Sequence, residues 1–465
     1  MNFVGREFEM GELNRLYVQD QFHLFILYGR RRVGKTTLLN EFSRDKDVIF
    51  YSAEQSNDKL NLEKFSALVF DFYGETVLES FSSWTNAISY IDKRQEKSRL
   101  LLILDEFPYL ARKNPSLLSE LQHLIDHRLK EGRLFLILSG SYMGFMEKEV
   151  LSVKSPLYGR RTAQLHMKTF PYKTSLSFMR GFKAEEQLIF YGAYGGTPLY
   201  LEQINPENSL EENIKNSFLK VTSYLYEEPL LLLRQEVQEP GTYSAIIEAI
   251  AGGASKANEI STKIGEENAK TLKYSKTLCD LGILYKETPF GEKESSRRSI
   301  YGISDLMFRF WYRYVFRNRT LIETGATEAV WKKLIEPDLS SYMGFVFERV
   351  CREFLQIENA NGELPILFTS IGRWWGTNPH TRRQEKIDLI AASGNEYLIC
   401  ECKWRKESLD LPVYYKLKEK AEIFKKDRDN TWYVLFSKSG FSDRMIRHAK
   451  EDPSVLLYDL YDLLE

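Results

Sequence analysis

Gly29-Arg30-Arg31-Arg32-Val33-Gly34-Lys35-Thr36 follows the pattern G-x-x-x-x-G-K-[ST], with Thr37 directly behind it. Between a strand and a helix N-terminus, such a loop turns its backbone N–H groups into an anion-binding concavity. Its lysine spans the β- and γ-phosphates and its hydroxyl ligates Mg²⁺. About 70 residues on, LLLILDE ends in Asp105 and Glu106. An acid at a strand end holds Mg²⁺ through water and its neighbour polarises the attacking water, which is what phosphoryl transfer requires. Ser139 and Ser141 close LFLILSGS, where their hydroxyls can meet the γ-phosphate or the lytic water; a turn of small residues is the alternative. Arg160 and Arg161 in SPLYGRRT are candidates to reach the γ-phosphate, in cis or from a neighbouring subunit. A surface arginine pair is the plainer reading. These residues predict ATP and Mg²⁺ as cofactors and ATP hydrolysis as the chemistry.

The elements that position them follow from hydrophobic periodicity. FHLFILYG (22–29), VIFYSA (48–53), LLLILDE (100–106) and RLFLILSGS (133–141) are continuous apolar runs between amphipathic stretches, the pattern of buried parallel strands in an α/β sheet. TTLLNEF opens the helix after the loop, and AQLHMKTF supplies a fifth strand. Residues 171–235 read as a helical lid broken by GAYGGTP. From about 240, three short helical patterns and two alternating runs around a polar turn have the order of a winged helix-turn-helix. DLMFRFWYRYVFRNR (305–319) reads as one aromatic and arginine-rich helix that docks domains. A second α/β unit begins with the helix GFVFERVCREFLQ, followed by strands KIDLIAA and EYLICECKW, a helix from about 412 and the strand WYVLFS. Four domains are expected: residues 1–170, 171–238, 239–320 and 321–465.

FVGRE, YGRRRVGKTTLL, LILDEFPYL, LILSGS, SPLYGRR and GGTPLYL together resemble the archaeal-type ATPase family within the STAND class of P-loop NTPases (the MNS clade), over roughly residues 1–320. The resemblance implies an ASCE-type sheet of order 5-1-4-3-2, a helical lid, a winged helix packed on the ATPase and a nucleotide-dependent switch. It places Arg6 near the adenine, Lys35 and Thr36 at phosphate and Mg²⁺, and Asp105 and Glu106 at metal and water. Gly195, Gly196 and Pro198 match its lid turn. The C-terminal unit resembles the PD-(D/E)XK nuclease-like domain that often closes these ATPases. Such a site needs an acid on one strand and an acid and a lysine two apart on the next, around a divalent metal. Asp388, then Glu401 and Lys403, satisfy that spacing, and Glu348 adds a fourth group. Lys386 stands where that fold usually carries a glutamate, a charge reversal that argues for a binding scaffold as much as for cleavage.

Lys270, Lys273 and Lys276 recur every three residues on the presumed recognition helix, with Arg297 and Arg298 in the wing, a footprint for duplex phosphates. A solvated face or a protein-binding surface explains them equally. His123 and His127 lie at i, i+4 but lack the glutamate of a zinc motif. Trp374 and Trp375 are expected in a packed loop. With 465 residues, 43% hydrophobic and 28% charged, the chain exceeds one core and is not disordered. Lys plus Arg (64) against Asp plus Glu (65) give a net charge of −1, so any basic site is local. Four cysteines and an acidic N-terminus without an apolar run predict a cytoplasmic chain with no membrane span. Three readings compete: a nucleotide-switch ATPase coupled to DNA, an ATP-gated metal-dependent nuclease, and a partner-protein scaffold with vestigial sites. No motif sets the oligomeric state.

Overall fold

Apolar residues run without interruption along the first strands, and a strand flanked by helices on both faces is the arrangement that buries every one of them. In the computed structural model, which describes residues 3–76, 79–94, 99–424 and 430–465, the chain forms two compact units, residues 1–169 and 170–465. The first holds β1 (His23–Tyr28), β2 (Val48–Ser52), β3 (Leu101–Asp105), β4 (Phe135–Gly140) and β5 (Ala163–His166). They form one parallel sheet in the order β2-β3-β4-β1-β5. Its longer helices are α1 (Glu7–Tyr17), α2 (Lys35–Ser43), α3 (Asp58–Phe72), α4 (Trp84–Lys93), α5 (Phe107–Lys113) and α6 (Leu117–His127).

Side chains alternate across a strand, so the sheet feeds two cores. Leu24, Ile26, Leu102, Leu104, Leu136 and Leu138 meet Phe65, Trp84 and Ile88 on one face. Phe25, Leu27, Leu101, Ile103, Phe135 and Ile137 meet Leu13, Leu38 and Phe42 on the other. Phe135 is the hub of the second core, with ring contacts to Tyr17, Phe25 and Phe42. Its truncation to alanine would cost about 3–5 kcal/mol. The phosphate loop therefore springs from an interior strand of the sheet, between β1 and α2.

In the second unit, α7 (Ala184–Tyr194), α8 (Leu210–Phe218) and α9 (Tyr224–Glu236) form the helical segment. Gly196 is fixed by close approach: a Cβ there would lie 1.9 Å from the Phe170 carbonyl oxygen. Three helices, α10 (Pro240–Ala251), α11 (Ala257–Ile264) and α12 (Asn268–Asp280), precede the antiparallel hairpin of β6 (Leu284–Glu287) and β7 (Ile300–Ile303). The aromatic segment is not one regular helix. Leu306–Phe310 is α-helical, Trp311–Val315 widens to a π turn, Phe316–Asn318 is 3₁₀ and Arg319–Glu323 is α-helical again. Trp311 and Tyr312 are wholly buried there, and the Trp311 indole donates to the Tyr226 carbonyl at 2.8 Å. A widened turn accommodates side chains that regular spacing would crowd.

The 23-residue helix α13 (Leu339–Asn361) leads into a mixed sheet of β8 (Ser370–Thr377), β9 (Gln384–Ser393), β10 (Glu396–Lys403), β11 (Asn430–Ser437) and β12 (Val455–Asp459). Their order is β12-β11-β10-β9-β8. Helices α14 (Leu411–Phe424) and α15 (Asp443–Glu451) flank it. The predicted loop around Trp374-Trp375 is instead the edge strand β8, antiparallel to β9 with a register shift between Gly372 and Trp374. Trp374 packs with its ring 5.8 Å from Phe424, which fixes that face. Helix α7 meets α13 inside this unit: the Tyr342 hydroxyl donates to the Gly192 carbonyl at 2.6 Å. Among the described residues no helix is long and apolar enough to cross a membrane.

Candidate functional site

The loop of residues 29–36 is built by local backbone demands. Gly29 has no room for a side chain, because a Cβ would lie 2.3 Å from the Met167 carbonyl oxygen. Arg32 and Gly34 are left-handed, at φ 71° and 91°, a geometry that turns successive N–H groups toward one side. Arg30 and Val33 are buried, and the Arg31 guanidinium donates to the Tyr109 hydroxyl on α5 at 2.8 Å. Lys35 is 6% exposed, and its ammonium donates to the carbonyls of Gly29 (2.8 Å) and Arg30 (3.2 Å). Thr36 and Thr37 are exposed at the start of α2.

Behind the loop, the Thr36 hydroxyl donates to Asp105 Oδ2 at 2.9 Å, and the Glu106 N–H donates to Asp105 Oδ1 at 3.0 Å. Asp105 is 2% exposed. Glu106 sits in the left-handed region at φ 52°, unusual for a side-chain-bearing residue and costing about 1–3 kcal/mol. Its carboxylate accepts from the Ser141 hydroxyl, both oxygens at 2.7 Å. Of the two serines, Ser141 thus reaches the acids. Ser139 is wholly buried in β4, and its hydroxyl lacks a hydrogen-bond partner among the described residues. Period-two alternation along a strand does not separate the two, because both lie on one face.

Arg6 acts as a strut. Its guanidinium reaches the carbonyls of Val33 (2.9 Å) and Lys168 (2.8 Å) and the Glu9 carboxylate (2.7 Å), tying the segment before α1 to the loop backbone. Arg160 makes a forked pair with Asp126 on α6, at 2.7–3.1 Å, which holds the Asp126 carboxyl at about 2. Arg161 donates to the Leu151 carbonyl at 2.8 Å. Both arginines are thus engaged with partners of the protein itself. Asp126, invisible as a partner in sequence, lies 34 residues upstream.

The C-terminal constellation does assemble, as a lattice of alternating charge. Asp388 on β9 is 1% exposed; it pairs with Lys386 at 3.1 Å and Lys403 at 3.6 Å and accepts the Cys402 N–H at 3.0 Å. Glu348 on α13 pairs with the same Lys386 at 3.2 Å. Glu401 binds Lys403 closely and Lys420 of α14 at 2.9 Å. Burial raises the Asp388 carboxyl, but Lys386 and Lys403 more than offset this and hold it below the ordinary aspartate range. Burial and the neighbouring Asp388 push Glu348 up. Among the described residues no group of three or more His, Cys, Asp or Glu is arranged to hold a metal ion. The lysines occupy the space between the acids. Lys420 escaped sequence reasoning because nothing in a helix pattern marks a residue that faces a strand 19 positions away.

The basic helix and wing divide. Lys270 is held by Glu266 at 2.9 Å and Glu239 at 3.6 Å. Arg298 is bound to Glu292 and to the Trp375 carbonyl on β8. Lys273, Lys276 and Arg297 have no ion pair among the described residues. His123 and His127 have ring centroids 4.3 Å apart on α6.

Residues 3–204, spanning the loop, both acids and Arg6, match a family described as an ATPase domain predominantly from Archaea. Residues 311–421 match one described as archaeal and bacterial proteins of unknown function. An uncharacterized protein of Methanocaldococcus jannaschii is 33% identical over 466 residues, 99% of each chain. An uncharacterized ATP-binding protein of Pyrococcus abyssi is 29% identical over 272 residues, 48% of this chain and 79% of its own. The solved Walker-type ATPase of Pyrococcus abyssi shares the fold at a TM-score of 0.52 and 20% identity, covering 67% of this chain and 96% of that one. With a relative so similar along its whole length and the ATPase model lying over the loop and its acids, this chain belongs to the archaeal ATPase family and is an ATP-binding protein of ATPase type.

Proposed function

We propose that the chain is a Mg²⁺-dependent ATPase acting as a nucleotide switch. The observation that carries this reading is the continuous line Thr36–Asp105–Glu106–Ser141 beneath a glycine loop with no room for a side chain at Gly29. The residues fit the ligands: the hydroxyl of Thr36 and the carboxylate of Asp105 would hold Mg²⁺, which offsets phosphate charge. The Lys35 ammonium transfers from neutral carbonyls to phosphate oxygens, which are stronger acceptors. Glu106 orients the attacking water and takes its proton as the bond from the γ-phosphorus to the β–γ bridging oxygen breaks, leaving ADP and phosphate. The hydroxyl of Ser141 holds that carboxylate in line. A switch further requires that ATP bind one arrangement of the chain more tightly than the other.

Around this core we read residues 1–170 as the ATPase, 171–238 as a lid, 239–320 as a winged helix and 321–465 as a nuclease-like domain. DNA contact by the winged helix rests on Lys273, Lys276 and Arg297, since Lys270 and Arg298 are engaged. Of the three competing readings, cleavage by the C-terminal domain is the least favoured, because its carboxylates already have ammonium partners. The test is phosphate release from ATP with and without Mg²⁺, in the wild type, Lys35→Ala and Glu106→Gln. Loss of turnover in both variants, with nucleotide binding lost only in the first, is expected. Unchanged turnover in both would refute the assignment.

A further inference from the structure

A cavity of about 390 Å³ lies where β6 faces α13 and the strands β8 and β9. That is the size of a small-ligand site, commonly about 300–1,000 Å³. Its wall is charged: Arg349, Arg352 and Arg373 with Glu287, Glu348 and Glu353. Positions 345, 349, 352 and 356 of α13 recur at helical spacing along it, so one stripe of a long helix faces this space.

The charges are unevenly satisfied. Glu353 is fully used: it accepts from Arg349 Nε (3.0 Å), the Tyr191 hydroxyl (3.1 Å) and the Tyr172 N–H (2.9 Å). Arg349 also donates to the Ser304 carbonyl. Glu287 is shared by two guanidiniums, Arg352 at 3.5 Å and Arg373 at 3.3 Å, and neither of its buried oxygens receives a hydrogen bond. Arg373 stands 3.8 Å from Glu348, which Lys386 also holds at 3.2 Å. Lys286, which donates to the neutral Glu294 carbonyl at 3.2 Å, adds a fourth cation to the wall. The cavity thus holds more positive charge than its carboxylates balance. Arg352 also donates to the Ile371 carbonyl at 2.8 Å and Arg373 to the Tyr285 hydroxyl at 3.2 Å, so each is anchored at one N–H, while the loose approach to Glu287, at 3.3–3.5 Å, leaves the N–H groups on that side able to turn to a second anion. Two guanidiniums on the wall of one cavity suit an acceptor with several charged oxygens.

We propose that this cavity binds a phosphate monoester, gripped by Arg352 and Arg373. Two sources share that chemistry, a free nucleoside monophosphate and the terminal phosphate of a nucleic-acid strand. The proposal stands apart from the ATPase reading, and a Lys35→Ala background removes the loop as a competing phosphate site.

The experiment measures binding of AMP, a fluorescent 5′-phosphorylated hexanucleotide and its 5′-hydroxyl twin to the full chain carrying Lys35→Ala. A phosphorylated probe is expected to bind and the hydroxyl twin to bind at least tenfold more weakly. AMP binding more tightly than the hexanucleotide assigns a free nucleotide; the reverse assigns a strand end. Arg352→Gln, at a half-exposed side chain that also gives up its bond to the Ile371 carbonyl, should weaken the phosphorylated probe at least tenfold. Glu287→Gln should strengthen it, because it removes the competing carboxylate. Binding of neither phosphorylated probe at millimolar concentration, equal binding of the twin, or indifference to Arg352→Gln would overturn the proposal. An unchanged melting temperature in each variant separates loss of the site from loss of the fold.

Discussion

Two acidic clusters in this molecule share an inventory and differ in their partners. Beneath the phosphate loop, Asp105 and Glu106 are held by hydroxyls, Thr36 and Ser141. In the C-terminal sheet, Asp388, Glu348 and Glu401 are held by ammonium groups, Lys386, Lys403 and Lys420. A hydroxyl orients a carboxylate without cancelling its charge, leaving it able to attract a divalent cation or accept a proton. An ammonium cancels that charge locally and fills the space a cation would take. Carboxylates at suitable spacing are thus not a metal site until their counter-charges are counted. The first cluster keeps its charge, whereas the second is already neutralised.

The largest expected effect breaks the first cluster. Glu106→Gln keeps the shape and the Ser141 contact but removes the proposed base, and should lower the rate of ATP turnover by about 10²–10⁴-fold. Single-turnover phosphate release with bound nucleotide measured in parallel checks it. Turnover within a few-fold of wild type would place the base elsewhere.

The next effect would convert the second cluster into the likeness of the first. Lys386→Glu removes the ammonium between Glu348 and Asp388 and supplies a third carboxylate. Mn²⁺ titration followed by electron paramagnetic resonance, in a Lys35→Ala background, should then show one added site. Wild-type Lys386 should show none there. An equal number of bound ions in both would mean that the lysine does not exclude metal.

How far these clusters were legible in sequence differs for a physical reason. The loop and its acids are local: continuous apolar strands announce β1, β3 and β4, and the functional residues follow them directly. Trp374 and Trp375 were expected in a packed loop; pairing with β9, where they stand opposite Ile387 and Lys386, makes the segment a strand. The break in the helix after Phe310 was equally hidden, since it reflects how Trp311 and Tyr312 fit a core assembled from distant segments. Asp388, Glu401 and Lys403 were visible as a spacing, but Lys420, which answers Glu401, comes from α14 and belongs to tertiary structure. Arg160 was a candidate for the γ-phosphate beside a plain surface pair, and its ion pair with Asp126 on α6 belongs to tertiary structure that no local pattern marks.

Stability offers a smaller effect with a definite sign in pH. Asp388 lies below the ordinary aspartate range, so its ion pairs contribute stability that is present above about pH 4 and lost as pH falls through its own lower value. Asp388→Asn should cost about 1–3 kcal/mol near neutral pH. That is less than the about 3–5 of a wholly buried pair, because Lys386 is 61% exposed and Lys403 31%. Glu348 has the opposite sign. Its raised value means that ionising it opposes folding, so Glu348→Gln should become progressively more favourable relative to wild type as pH rises above the ordinary glutamate range. Denaturant midpoints at several pH values check both slopes, and parallel slopes in the two variants would mean that the acids are not differently held.

The smallest expected effect sharpens the role of Ser141. If its hydroxyl only fills a turn, Ser141→Ala costs neither binding nor turnover. As the donor to the Glu106 carboxylate, it should instead lower turnover by about tenfold or more with ATP affinity unchanged, the low end of what one hydrogen bond to a charged group contributes, about 1.5–3 kcal/mol, in positioning a base. Ser139→Ala is the control within the same strand, because its buried hydroxyl has no hydrogen-bond partner among the described residues to lose. A deficit in Ser141→Ala that vanishes when Glu106 is already glutamine would show that the serine acts through the carboxylate. The same deficit in both backgrounds would mean that it touches the nucleotide directly.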